Sequence, residues 1–112
     1  MRYICILYRE PEQVESLRRA EWEALGAESR AYLDELRRGG HFVAAEHLQP
    51  VETAISLRVR NGTLSITNGP FVETKEQLGS FILIEARDLN EAIQLAGRLP
   101  PARLGGVEVR PI

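Results

Sequence analysis

The chain has 112 residues, with fourteen Lys and Arg against sixteen Asp and Glu, and its formal net charge is −2. This length supports a single hydrophobic core, and 44% hydrophobic with 27% charged residues is ordinary globular composition, which excludes disordered, fibrous and membrane-spanning classes. Nucleic-acid binding needs a basic stripe, but the arginines of residues 1–40 are interleaved with acids. We therefore expect one domain over residues 1–112, with neither a nucleic acid nor a membrane as partner.

The N-terminal residues 1–8 are apolar, but the run is too short for a signal peptide, and Arg9 and Glu10 follow it at once. Residues 3–8 are apolar on both alternating faces, which predicts a strand covered on both sides. Cys5 is the single cysteine, so an internal disulfide framework is excluded. We expect a cytoplasmic protein in which Cys5 is an inert core thiol.

A long helical stretch is predicted to begin at Pro11, because apolar residues recur at helical spacing as far as Leu36. Gly26 marks a weak point within it. The pair Gly39-Gly40 ends it, since glycine is the usual residue just after a helix. Residues 41–46 then predict a second, shorter strand.

The clearest local signal is a hairpin, where apolar and polar residues alternate on both sides of Asn61-Gly62. A two-residue Asn-Gly loop favours a type I′ turn, and this turn sets the strand register. The predicted pairs are Arg60 with Thr63, Val59 with Leu64 and Leu57 with Ile66. The turn chemistry and the apolar pattern agree on this register.

A polar loop at residues 68–77 precedes residues 81–84, which are again apolar on both faces. Asp88 and Glu91 have the spacing of a capping box, so a second helix is predicted from about Leu89, and Gly97 and Pro100 are expected to end it. A final half-exposed strand is predicted at residues 107–110, where valines alternate with charged residues.

This order of elements predicts a ferredoxin-like α+β fold, βαββαβ with an inserted β-hairpin. Residues 3–8 and 81–84 are expected to form the two central strands, because both are apolar throughout. Two helices cover only one face of such a sheet, so the other face needs a cover. That cover is either the same face of a second subunit, which gives a homodimer, or the hairpin of the same chain.

Residues 67–79 carry the motif Thr-Asn-Gly-Pro-Phe-Val-Glu-Thr-Lys-Glu-Gln-Leu-Gly. This motif resembles the signature of the DGPF-type members of the YCII-related family. The resemblance spans almost the whole chain, through Ala45-Glu46 and the hairpin to residues 106–111. Asn68 stands where that family usually has aspartate, which removes a carboxylate from the signature.

The resemblance implies a dimeric α+β barrel of ferredoxin-like subunits, with a cleft near the dimer interface. In some YCII-type relatives a helix histidine works with an aspartate. Ser29 stands at the corresponding helix position here, so this dyad does not carry over. Related DGPF proteins are associated with genes for extracytoplasmic-function sigma factors, which implies a noncatalytic regulatory or accessory role as the alternative function.

Three charged residues are candidates for catalysis, namely Glu46, Lys75 and Glu76. Glu46 ends the second strand beside an apolar run, where a partly buried carboxylate acts as a general base or, equally, bonds the backbone of the 67–76 loop. Glu76 is the other acid/base candidate. Lys75, the only lysine of the chain, is flanked by acids and suits electrostatic stabilisation of an anionic or carbonyl group. The alternative is a structural loop with solvated ion pairs.

The expected ligand site is a cleft formed by Glu46, the 67–76 loop and the sheet. Its ligand-binding candidates are Thr67, Asn68, Phe71, Glu73 and Tyr3. A small carbonyl compound or aromatic acid is the expected ligand, with proton-transfer or lyase chemistry if the protein is an enzyme. No cofactor and no metal are expected, because His41 and His47 belong to no cluster of three or four ligands.

Overall fold

The structure, a computed structural model, describes residues 1–72 and 74–112. The helices and strands follow in the order β1 (Arg2–Arg9), α1 (Pro11–Glu15), α2 (Arg19–Arg38), β2 (Phe42–His47), β3 (Ile55–Arg60), β4 (Thr63–Asn68), β5 (Gln77–Glu85), α3 (Leu89–Gly97) and β6 (Gly105–Pro111). Short 3-10 turns lie at Val51–Thr53 and Pro100–Leu104. Glu73, a predicted ligand-binding residue, lies outside the described residues.

Four strands form an antiparallel sheet in the order β2-β5-β1-β6. This order confirms the ferredoxin-like α+β fold and places β1 and β5 in the centre, as their apolar sequences predicted. One face of the sheet packs under α2 and α3, and its core residues are Tyr3, Cys5, Leu7, Tyr32, Leu36, Ile82, Ile84, Ala92 and Ala96. Burial raises the pKa of the Cys5 thiol to about 11, in agreement with the inert thiol expected there.

The predicted first helix is in fact two helices, α1 and α2, with a break at residues 16–18. The Ser16 hydroxyl donates to the Gln13 carbonyl at 2.9 Å, and such local bonds compete with helix continuation. The Glu21 carboxylate accepts from the backbone N–H of Arg18 at 3.2 Å and from its Nε at 2.8 Å, which starts α2. Gly26 lies inside α2 without interrupting it.

The predicted strands are present, with different ends. His41 precedes β2, because its backbone N–H still donates to the Leu36 carbonyl at 2.8 Å and closes the end of α2. Strand β5 begins at Gln77, four residues before its apolar run, because its first residues pair with the end of β1. Strand β6 begins at Gly105, where an added Cβ would lie 2.9 Å from the Tyr8 carbonyl carbon, so the close approach to β1 requires glycine.

The hairpin has the predicted register, with Leu57 opposite Ile66 and Val59 opposite Leu64. Asn61 and Gly62 both have positive φ, 51° and 75°, as a type I′ turn requires. The hairpin forms its own two-stranded sheet. Its apolar face carries five residues that are each more than half exposed, namely Ile55, Leu57, Val59, Leu64 and Ile66. This face therefore does not cover the four-stranded sheet within the described chain.

The second face of the four-stranded sheet, opposite α2 and α3, is called the open face here. It carries a half-buried apolar stripe from the two central strands, Ile4, Ile6, Tyr8, Phe81 and Leu83. Ion pairs border the stripe, one between Arg2 and Glu85 at 3.0 Å and one between Glu108 and Arg110 at 2.6 Å. None of the helices in the described residues is long and apolar enough to span a membrane. The cytoplasmic location stays a prediction.

The start of α3 is fixed by Asp88, whose Oδ1 accepts from the backbone N–H of Glu91 at 2.9 Å. The Glu91 carboxylate accepts from the backbone N–H of Arg87 at 2.8 Å, so the second bond of the predicted capping box is shifted by one residue. The Glu91 amide also holds the pKa of Asp88 below its usual range.

We expect Asp88→Ala to lower the melting temperature by about 5 °C, because the Glu91 amide loses its acceptor. Folding lowers the pKa of Asp88. The contribution of its carboxylate to stability is therefore complete above the pKa that Asp88 has in the unfolded chain, and it is lost as the pH falls through the pKa of the folded state. Melting curves from pH 7 to pH 2 measure both effects. Asn90→Ala, in the same exposed turn, is the control, and an equal loss in both variants would contradict the capping role.

Candidate functional site

Residues that are distant in sequence meet at one end of the four-stranded sheet, where strands β1 and β2 end and β5 begins. Strands β1 and β2 are both antiparallel to β5, so their last residues, Arg9 and His47, lie at the same end of the sheet as the first residues of β5. Helix α2 passes over this end of the sheet, and a cavity of about 360 Å³, which we call the α2 cavity, lies between the helix and the strands. Its apolar walls consist of Leu7, Trp22, Leu25, Leu33, Leu48, Pro101 and Leu104.

Five polar side chains line the same cavity, namely Arg9, Ser29, Arg30, His47 and Ser80. The Ser29 hydroxyl is occupied, because it donates to the Leu25 carbonyl at 2.8 Å. Within the described residues, the side chains of Arg9, Arg30 and His47 have no hydrogen-bond or ion-pair partner. Most of the other arginines are paired with Asp or Glu. The cavity thus combines apolar walls with the half-buried Arg9 and the exposed Arg30 and His47, which have no partner among the described residues.

Both arginines lie against glycines. An added Cβ at Gly79 would lie 2.8 Å from Cζ of Arg9, so a larger residue there would displace this guanidinium from its position across β5. An added Cβ at Gly26 would lie 3.3 Å from a terminal nitrogen of Arg30, on the next turn of α2. Gly79 closes the sequence motif at residues 67–79, and its position beside Arg9 gives this motif residue a role at the α2 cavity.

A smaller void of about 30 Å³ adjoins the α2 cavity and shares Ser29, Leu33, His47 and Ser80 with it. Glu46, one of the predicted catalytic residues, borders this void. Glu46 is exposed at the end of β2. Its neighbour in sequence, His47, lines both spaces.

The 67–76 loop borders a different space, an open groove of about 1000 Å³ that we call the loop groove. Gly69, Pro70, Thr74 and Glu76 line it from the loop, and Tyr8 lines it from β1. Lys75 is exposed on the same loop. The three predicted catalytic residues therefore do not meet in one cavity, since Glu46 borders the void next to the α2 cavity and Glu76 borders the loop groove.

The predicted ligand-binding residues are also distributed. Tyr3 is 1% exposed and lies in the core under the helices, away from the loop. Thr67 and Asn68 are exposed at the end of β4. Phe71 is 57% exposed and stacks with the guanidinium of Arg58, whose Cζ lies 4.5 Å from the ring centroid. None of these four residues lines the α2 cavity.

Sequence reasoning did not select Arg9 and Arg30, and it considered His47 only as a metal ligand. Their positions in the sequence could have indicated them. Arg9 and His47 are the last residues of two core strands that run in the same direction, so both lie at one end of the sheet. Ser29 was noted only as the helix position that holds a histidine in some relatives. The structure places this position in the wall of the α2 cavity.

A sequence model of the YCII-related domain matches residues 1–112. The chain is 38% identical over 90 residues to uncharacterized protein R00369 of Rhizobium meliloti strain 1021. The aligned region covers 79% of this chain and 69% of that protein. The fold of the present chain is similar to that of the 5-chloro-2-hydroxyhydroquinone dehydrochlorinase TftG of Burkholderia phenoliruptrix AC1100, solved in complex with 2,5-dihydroxybenzoquinone. The TM-score is 0.56 at 16% identity, and the match covers 100% of this chain and 93% of TftG. The match over the full length shows that the chain belongs to the YCII-related domain family.

Proposed function

We propose that this protein binds a small organic molecule in the α2 cavity and transfers a proton to or from it through His47. The observation that carries this proposal is the meeting of an imidazole and two guanidinium groups without described partners inside one apolar-walled cavity. A volume of about 360 Å³ lies in the range of small-molecule sites, which are mostly apolar with a few convergent polar groups. The loop groove is larger, but Lys75 and Glu76 do not line the α2 cavity, so we assign them no part in binding there.

Proton transfer is supported by the chemistry of the residues that face the cavity. Imidazole exchanges protons near neutral pH and is the most common general acid or base in enzymes. The Ser29 hydroxyl, on α2, already donates to a backbone carbonyl, so His47 is the imidazole that we assign to proton transfer. Dehydrochlorination, the reaction in the name of the structural relative TftG, also removes a proton from its substrate. We therefore propose proton-transfer chemistry for this chain as well.

We also propose that the protein is a homodimer formed through the open face. Contiguous exposed apolar surface on an isolated chain marks a contact with another molecule, and here the open face and the apolar face of the hairpin are both uncovered. The charges that border the open face are paired within the chain, Arg2 with Glu85 and Arg110 with Glu108, so a second copy with the same border meets no excess of like charge there. A second copy thus supplies a cover that the chain's own hairpin does not provide.

The proposed ligand site is tested by filling it. We expect 4-acetylbenzoate, an aromatic acid with an exchangeable methyl ketone, to raise the melting temperature of the wild-type protein, because a ligand that binds only the folded state stabilises it. Leu33→Trp fills the α2 cavity and is expected to abolish this shift. Leu89→Trp changes a residue that is 49% exposed on α3 and is the matched control. No shift with the wild-type protein, or an equal shift with Leu33→Trp, would reject the cavity as the site.

His47→Gln tests the proton transfer separately from binding. We expect the wild-type protein to catalyse hydrogen–deuterium exchange of the 4-acetylbenzoate methyl group, and His47→Gln to lower this rate by about 100-fold while binding persists. Proton NMR in deuterium oxide measures the exchange. His41→Gln is the control, because His41 bonds the Glu85 carbonyl through Nδ1 at 2.8 Å and does not line the α2 cavity. An unchanged rate in His47→Gln would remove the proton-transfer role.

A further inference from the structure

On the basis of the proposed function of the α2 cavity, we propose that its ligand is an anionic aromatic compound whose carboxylate or phenolate group is bound by Arg9 and Arg30. Three features support this ligand, namely the charges that line the cavity, the glycines that leave room for the two guanidinium groups, and the composition of the apolar walls.

The charge that lines the α2 cavity is of one sign. Arg9 and Arg30 line it, and none of the described residues that line it is acidic. This local excess of cations stands in a chain whose formal net charge is −2. A guanidinium group is always charged and presents a planar fork of N–H donors that matches the two oxygens of a carboxylate. A cavity with low-dielectric walls concentrates such a field and favours an anion over a neutral molecule of the same shape.

Two glycines leave room for the two arginines. Gly79 lets the Arg9 guanidinium lie across β5, and any side chain at this position would displace it. Gly26 stands in the middle of α2, where glycine costs about 1 kcal/mol relative to alanine. Its replacement would place a Cβ 3.3 Å from the end of Arg30. Both glycines therefore leave space that the guanidinium groups occupy at the cavity.

The apolar walls select the rest of the ligand. Trp22, Leu25 and Leu33 face the cavity from α2, and Leu7 and Leu48 face it from the sheet side. Flat apolar groups such as aromatic rings bury large areas against indole and leucine side chains. A carboxylate or phenolate joined to a ring therefore satisfies the walls and the cations together, whereas an aliphatic dianion or a free inorganic anion satisfies only the cations.

The test compares ligands that differ only in charge. We expect titration calorimetry to show benzoate binding at least about tenfold more tightly than benzamide, with the same order for 1-naphthoate against 1-naphthamide. Arg9→Met and Arg30→Met are each expected to lower this preference, and the double variant to abolish it. Arg9→Lys keeps the charge but not the planar fork, so it is expected to recover only part of the preference. Melting temperatures verify that every variant is folded.

Glycine variants separate a positioned guanidinium from a diffuse positive charge. Gly79→Ala displaces Arg9 without changing any charge, and we expect it to lower the benzoate preference toward that of Arg9→Met. Gly97→Ala is the matched control, because a Cβ at Gly97 meets nothing within 4 Å, and we expect it to leave the preference unchanged.

The outcomes distinguish this inference from the proposed function on which it rests. Equal binding of benzoate and benzamide, both lost in Leu33→Trp, would overturn the anionic ligand and leave the α2 cavity as the binding site. A benzoate preference that survives in the Arg9→Met and Arg30→Met double variant would overturn the assignment to these arginines. Failure of all four compounds to bind the wild-type protein would overturn both proposals.

Discussion

Replacement of Leu36 by alanine is expected to lower the free energy of unfolding by about 2–5 kcal/mol. Leu36 is 2% exposed and extends from α2 into the core formed with Tyr3, Cys5 and Leu7 of β1. The substitution removes apolar contacts and leaves a cavity that close-packed neighbours fill only in part. Because a domain of this size is stable by about 5–15 kcal/mol in total, this single change removes a large fraction of its stability.

Urea denaturation followed by circular dichroism measures this loss as a shift of the midpoint at constant slope. Leu89→Ala, at a site that is 49% exposed on α3, removes the same atoms from the surface and is expected to change the stability by no more than about 0.5 kcal/mol. Equal losses for the two variants would show that the packing of α2 on β1 does not determine the stability of the fold.

The parts of the fold that follow from local chemistry were predictable from the sequence. Asn61-Gly62 and the alternation around it predict the hairpin register, because a two-residue type I′ turn sets one pairing and this pairing places the apolar residues on one face. The break between α1 and α2 was not predictable from periodicity. It depends on bonds of Ser16 and Glu21 to nearby backbone groups, and apolar spacing carries no information about these bonds.

The α2 cavity was not predictable, because the residues that line it come from separate segments of the chain. The motif at residues 67–79 is contiguous and therefore visible in the sequence, which directed attention to Lys75 and Glu76. Arg9, Ser29 and His47 converge only after the strand order and the path of α2 are known. The fold thus changes the reading of the motif, since its last residue, Gly79, lies beside Arg9 at the α2 cavity.

Ile6→Lys is expected to convert the proposed dimer into a monomer and to raise the dimer dissociation constant by at least about 100-fold, because burial of an unpaired charge is costly. Ile6 lies in the middle of the open face, opposite Phe81 on β5 and Glu108 on β6. A lysine there finds an acidic neighbour in an isolated chain, so the subunit itself should fold. Only a second copy that covers the position makes the charge unfavourable.

Sedimentation velocity at about 50 μM distinguishes the two states, since the wild-type protein is expected at twice the 12.6 kDa of one chain and Ile6→Lys at 12.6 kDa. Leu89→Lys, on α3 at the other face, is the matched control and should remain dimeric. A monomeric wild-type protein would contradict the proposed dimer. A dimer that resists Ile6→Lys but dissociates when Leu57 and Ile66 are both replaced by serine would transfer the contact from the open face to the hairpin.

Loss of the dimer and loss of ligand binding are expected to be separable in this chain. Neighbouring residues of a strand point to opposite faces, and Ile6 faces the open side whereas Leu7 lines the α2 cavity under the helix. If each subunit contains a complete cavity, monomeric Ile6→Lys retains the benzoate preference of the wild-type protein. If the preference disappears with the dimer, the cavity depends on the partner subunit, as a cleft near the dimer interface would, and the assignment of the site to a single chain is wrong.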